Sequence, residues 1–261
     1  MDARAVAESD DALADVIGQL DRRLEVLALA GDRRRFFLAV YRTMTVATRD
    51  AVHANRFMDP PWTADLTSRF ARLYFDADEA WAARGPCPGP WCAAFDVAGR
   101  VRVNPVEHAL LGINAHIVYD LPLAVASTML AAGDVVDGEI AAATLARRRH
   151  DYEVVNHVLA GTIDSAQEVI ASMSRITALV DGVMLRLDEY LAEAMLRFSR
   201  TQGWHTSVAL AVARDQRERE AVRDHLDRVA CGYVSRIDVT RVVPTRVGRL
   251  LVERVRPPFM D

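Results

Sequence analysis

The sequence predicts an all-α fold: a single-domain multi-helix bundle over residues 1–261, built around a kinked central helix. Apolar residues recur at three- and four-residue steps through most of the chain, the spacing of one buried helical face. Sustained two-residue alternation is missing outside the C-terminal tail. Capping residues such as Gly31, Asn55 and Asp59-Pro60 fall where the apolar stripes begin and end. No internal repeat and no low-complexity linker divides the chain, so one domain is the simplest account.

Leu13, Val16, Ile17, Leu20, Leu24 and Leu27 define a first helix over residues 11–30, closed by Gly31. Phe36, Phe37, Val40, Tyr41, Met44 and Ala47 mark a second, from about Arg33 to Ala54, ending at Asn55. Asp59-Pro60 reads as a cap followed by a proline at the first position of a third helix. That helix carries Leu66, Phe70, Leu73, Tyr74, Ala77 and Trp81 on one face. Gly85 to Pro90 is a turn-rich break. The central helix follows, capped by Asn104 and Pro105 and ended or kinked at Pro122, where a backbone hydrogen bond is lost. Residues 123–132 resume as an apolar helix and Gly133 to Glu139 form a loop. A short helix is expected over 139–148 and a further one from Asp151 to about Asp164. Ile170, Met173, Ile176, Val180, Met184, Leu187, Leu191 and Leu196 stripe residues 165–200, and residues 204–231 give another helix after Gly203. From about 235 to 261 an arginine-rich tail admits strand, short helix or extended coil.

Apolar residues make up 51% and charged residues 26%, a globular rather than a disordered composition. The net charge of −4 argues against a nucleic-acid partner, which needs a basic field. Every one of the 32 basic residues is arginine, a sign of GC-rich coding that carries no mechanism. Cys87, Cys92 and Cys231 form neither a disulfide framework nor a metal knuckle, so free thiols in a reducing compartment are expected. The acidic stretch Met1 to Asp15 has no secretory apolar region, and no eighteen uninterrupted apolar residues offer a membrane span. The expectation is a cytoplasmic protein acting on a small-molecule substrate, with no nucleic acid and no membrane as partner; a homodimer is left open.

Within the central stretch, His108, Gly112, His116 and Asp120 recur at four-residue steps, drifting about 40° each time, and so share one broad face. A histidine and an aspartate one turn apart in apolar surroundings are costly unless something pairs them. His116 and Asp120 can present a ring nitrogen and a carboxylate oxygen to one metal ion, or satisfy each other by a hydrogen bond. Asn114 and Tyr119 stand nearby as groups that can orient substrate or water. His205, opening an apolar helix after Trp204, is either a core residue or a third ligand. Asp151, sharing a stripe with Val155 and Val158, either caps or points inward. Phosphate-cradling Gly-rich loops, G-x-S-x-G elbows and H-E-x-x-H pairs are absent.

Phe57-Met58-Asp59-Pro60, Phe70 to Trp81, Gly112-Ile-Asn114-Ala-His116-Ile-Val-Tyr-Asp120-Leu-Pro122, Asp151 to Asn156 and Trp204-His205 together resemble a mostly actinobacterial family, catalogued as domain of unknown function 5995. The likeness covers roughly residues 35–230 and implies a helical domain without bringing an activity. More locally, Ala115 to Leu123 is similar to the helix of zinc-dependent phospholipases C and single-strand nucleases. There a His-x-x-x-Asp pair binds zinc, and only His116 and Asp120 carry over.

The leading expectation is therefore a metal-dependent all-α enzyme acting on a small ester, phosphoester or secondary metabolite. A divalent zinc, iron or manganese ion would be held by His116 and Asp120, with His205, His108 or Asp151 completing the set. The alternatives are a metal-free cyclase or lyase of specialised metabolism using His116 and Asp120 as an acid–base dyad, or a non-catalytic helical binding module.

Overall fold

The computed structural model describes residues 3–99, 105–173 and 201–237. The expected Asn104 cap, the stripe from Ile176 to Leu196 and the arginine-rich tail beyond Ile237 lie outside the described residues. Within them the fold is all-α. Helices α1 (Ala3–Leu29), α2 (Arg35–His53), α3 (Pro60–Ala82) and α4 (Gly89–Ala98) precede a central rod. The rod is α5 (Pro105–Asn114), a π-helical segment (Ala115–Asp120) and α6 (Leu121–Ala131). Then come β1 (Val135–Val136) and β2 (Glu139–Ile140), α7 (Ala142–Ala160), α8 (Ile163–Met173), a helix at residues 201–211 (α9) and α10 (Gln216–Ile237).

The helix ends follow from local chemistry. Gly31 sits at φ 64, which lets Asp32 N–H reach back to the Leu27 carbonyl at 2.9 Å and stop α1. Asn55 does the same for α2 at φ 55, with Arg56 N–H on the Ala51 carbonyl at 3.1 Å. Asp59 accepts the Trp62 N–H at 3.2 Å and Pro60 follows it, so α3 starts as expected.

Several elements differ from the sequence reading. The proline-rich break is shorter than expected, because Gly89 and Pro90 open α4. A proline in the first turn loses nothing, since that N–H has no helical partner anyway. The loop after α6 contains a two-residue hairpin whose turn, Asp137-Gly138, takes φ of 51 and 79, the left-handed pair such a tight turn demands. The helices expected at 139–148 and from Asp151 are one unbroken α7. Conversely, the helix expected over 204–231 breaks at 212–215. There Asp215 accepts the Glu218 N–H at 2.8 Å while Glu218 accepts the Arg214 N–H at 2.9 Å, so two acidic side chains restart the chain as α10.

Pro122 does not end the central helix. The rod continues through it from Glu107 to Ala131, and the preceding turn widens into the π segment, closed by Leu121 N–H on the His116 carbonyl. Such widening is how a helix absorbs an irregularity without stopping. By length and hydropathy (mean 1.5) this rod is apolar enough to cross a membrane, but 78% of the relevant window is buried under the other helices. Helices α2, α3, α4 and α10 pack around it.

Two apolar clusters meet at the rod. One joins α1, α2, α3 and α4 through Leu20, Phe37, Tyr74 and Trp91; the other joins α3, α6, α7 and α9 through Trp62, Val125, Tyr152 and Trp204. Phe70 and Ile113 pack against both. Each large side chain fully buried here stabilises the fold by about 1.5–3 kcal/mol. Close approach of α2 to the rod depends on Gly112, where an added Cβ would lie 2.4 Å from Phe37 Cγ.

Candidate functional site

His116 and Asp120 lie in the π segment, and both are buried. Closing hydrogen bonds one residue further along puts more residues in each turn, so side chains four apart come nearer to eclipsing than in an α-helix. His116 Nδ1 meets Asp120 Oδ2 at 2.9 Å, and the Trp91 indole N–H donates to the same oxygen at 2.8 Å. The imidazole is boxed by aromatic rings. Phe70 stacks parallel to it, centroids 3.5 Å apart at 8°, and Tyr41 meets it edge-on at 4.4 Å and 73°. Phe37 and Trp91 close the other sides at 5.7 and 5.8 Å.

Burial opposes charge on both partners. It holds the His116 imidazole well below its ordinary range and pushes the Asp120 carboxyl well above its own, against the pull of the Trp91 N–H. Three proton arrangements carry no net charge: a carboxylic acid donating to Nδ1, a carboxylic acid protonated on Oδ1 whose Oδ2 accepts an Nδ1–H, and a carboxylate beside an imidazolium. The shifts favour the two neutral ones. Nε2 bears a hydrogen where Nδ1 accepts, and a lone pair where Nδ1 donates. Among the described residues that buried Nε2 has no hydrogen-bond partner.

His116 also lines a partly open cavity of about 60 Å³, room for several waters or one small molecule. Val40, Met44, Leu66, Phe70 and Ile113 supply much of its wall. The threonines there add little polarity. Thr45, Thr48 and Thr67 spend their hydroxyls on the carbonyls of Tyr41, Met44 and Thr63. Tyr41 lines the same cavity, and among the described residues its buried hydroxyl has no hydrogen-bond partner either.

The other expected site residues are placed elsewhere. Asn114 is buried and donates from Nδ2 to the Ala230 carbonyl at 2.9 Å, tying the rod to α10. Tyr119 is half-buried; burial first, then the Asp120 charge, raises its phenol, and Arg223, Asp227 and Asp224 of α10 also act on it. Neither residue lines the cavity. His108 is buried with both ring nitrogens unbonded among the described residues, and burial and the Arg33 charge push it down to about 4 against the pull of Asp32.

The expected metal set does not assemble. Asp151 is fully buried, and its two oxygens accept the backbone N–H groups of Met58 and Asp59 at 2.7 and 2.9 Å. That carboxylate caps the approach to α3, which accounts for its burial without a cation. Trp204, Ser207 and Ala211 take the inward face of α9, which leaves His205 exposed. Asp120 Oδ2 is already engaged by two partners. Among the described residues no three His, Cys, Asp or Glu side chains come together as a metal-binding group.

Three residues that matter here were not read as site residues from the sequence: Trp91, Tyr41 and Phe70. The last two were visible as core stripe positions. Trp91 follows directly on the expected Gly85–Pro90 break, and Pro90 beside it is the first-turn proline that announces α4.

The fold and site define an all-α protein with a buried His–Asp–Trp hydrogen-bonded array at the wall of a small apolar cavity. The chain matches the family of unknown function DUF5995 over residues 13–237 and belongs to it. No curated protein and no solved structure matches the chain.

Proposed function

We propose that this protein is a metal-independent enzyme that carries out acid–base chemistry on a small, largely apolar molecule held in the cavity beside His116. One observation carries the reading: His116 is fixed at Nδ1 by Asp120, unpartnered at Nε2, and set in an apolar cavity wall. A buried donor without a partner is a standing cost to the fold, and a ligand atom removes it.

In the resting array Asp120 holds the proton on its carboxyl and His116 carries one on Nε2. The Nε2 proton passes to an oxygen of the bound molecule while the Asp120 proton moves to Nδ1. The new carboxylate is then stabilised by the Trp91 N–H that already faces it. Nε2 is left with a lone pair and can take a proton from a second position on the same molecule. That transfer, with the Nδ1 proton passing back to the Asp120 carboxylate, returns the array to its starting state. Giving one proton and taking another isomerises the bound molecule or drives an elimination from it.

The test is incubation in deuterium oxide with ketones, aldehydes and alcohols of about the cavity's size, read by mass spectrometry for deuterium uptake and new products. The expected result is uptake or turnover by the wild type, unchanged by a chelator and lost in folded His116→Gln. Absence of uptake and turnover across the panel, or activity that disappears with the chelator, overturns the reading. Activity lost together with a near-stoichiometric metal would instead favour the metal-dependent alternative.

A further inference from the structure

Tyr41 and His116 present an unusual conjunction. Their rings touch edge to face, both line the same cavity, both are buried, and each carries one polar atom without a hydrogen-bond partner among the described residues, Oη and Nε2. Thr45 Oγ1 is near enough to influence the Tyr41 hydroxyl, but it donates to the Tyr41 carbonyl and lies outside hydrogen-bond geometry with Oη. Buried polar groups are normally satisfied within the protein or by a ligand or water. Two unmet groups on adjacent rings of one apolar cavity mark where such a partner sits.

We infer that the cavity selects an uncharged, apolar carbonyl compound whose single oxygen is held between Tyr41 Oη and His116 Nε2. The inference rests on the reading of the cavity as the site of chemistry, and it names the class of molecule. The donor count gives the carbonyl. With the Asp120 acid donating to Nδ1, as in the proposed resting array, Nε2–H and Oη–H are both donors, and a carbonyl oxygen has two lone pairs and no hydrogen of its own to place. The wall gives the absence of charge. Among the described residues no arginine lines the cavity, and the lining threonine hydroxyls are committed to backbone carbonyls. A carboxylate would lose its water there without gaining a full countercharge. The remaining wall, including Val40, Met44, Leu66 and Ile113, meets a hydrocarbon body. Tyr41 is thus a specificity residue, reading the oxygen that His116 acts on.

The experiment is a ligand-observed NMR titration of the full chain with cyclohexanone, cyclohexane and cyclohexanecarboxylate, on wild type and Tyr41→Phe. Cyclohexanone should bind at least about tenfold more tightly than cyclohexane, the value of one good hydrogen bond. The carboxylate should bind more weakly than either. Tyr41→Phe should cost the ketone about tenfold and leave cyclohexane within about twofold. Because the variant removes a buried hydroxyl that has no partner, its Tm without ligand should equal or exceed the wild-type value. Equal affinities for ketone and hydrocarbon, a preference that survives Tyr41→Phe, or no binding by any of the three overturns the inference. The last result would mean that water alone satisfies the two groups. Selective ketone binding without deuterium uptake would sink the acid–base reading and leave the clamp standing. Uptake that depends on His116 but is indifferent to Tyr41→Phe in its choice of ligand would do the reverse.

Discussion

At the scale of single residues, the two buried histidines of the rod show how context decides what a side chain does. His116 has a carboxyl one turn away and a box of rings around it; His108, on the same broad face, has neither nitrogen bonded. A buried imidazole without partners stays neutral, and this one is pushed from 6.5 down to about 4, by burial first and then by Arg33. The unfolded chain therefore binds a proton at this residue between those two values while the folded chain does not. Its contribution to stability is fully present above about 6.5 and is lost as the pH falls toward about 4. Wild-type Tm should drop more steeply through that interval than the Tm of His108→Gln, which cannot take up the proton. Carboxylate titration acts on both proteins alike, so parallel curves would show that His108 contributes nothing to acid sensitivity.

At the scale of elements, the site depends on how closely α2 approaches the rod. Phe37 lies where a side chain at position 112 would be, and the same ring touches both His116 and Tyr41. Gly112→Ala should lower stability by about 1–3 kcal/mol through overpacking, measured by urea denaturation. Adding Phe37→Leu, which shrinks the obstructing ring, should restore part of the loss. Additive effects would mean that the two positions do not oppose each other. What the sequence made legible at this scale is what local chemistry alone decides. The stops at Gly31 and Asn55, the cap at Asp59 and the inward face bearing His116 and Asp120 are all set within a turn or two. The widening of the rod at 115–120, the role of Trp91 and the exposure of His205 were not legible. Each depends on which other helix lies opposite, and an apolar stripe does not encode its partner. The break at 212–215 is a different case. The Asp215 and Glu218 caps were present to be read, but the apolar and charged stretches on either side fit one continuous helix equally well.

At the scale of the whole molecule, a buried polar network fastens the start of α3 and the end of α6 to α7, which also reaches the cavity. Arg148 of α7 pairs with Asp134, just after α6, and with Asp59, the cap of α3; its guanidinium also lies over the Trp62 ring, 5.0 Å from the centroid. One turn further along α7, Asp151 fixes the backbone of Met58 and Asp59. The side chains of Arg148 and Asp134 are 5% and 4% exposed, so each charge is deprived of water and depends on its partner. A buried pair of this kind is weak evidence for net stability, because burying the charges costs much of what pairing them returns. Removing one member is another matter. Arg148→Met keeps much of the packing over Trp62 but leaves two acidic side chains unanswered, and should cost about 3–5 kcal/mol in urea denaturation. Arg148→Met with Asp134→Asn should be more stable than Arg148→Met alone, since one stranded charge is gone. The cavity should register the change as well. Tyr152, Val155, Asn156 and Leu159 reach it from the next turns of α7, so loosening that helix should weaken cyclohexanone binding in a chain that is still folded. Unchanged binding in the destabilised variant would show instead that α2, α3 and the rod alone define the cavity.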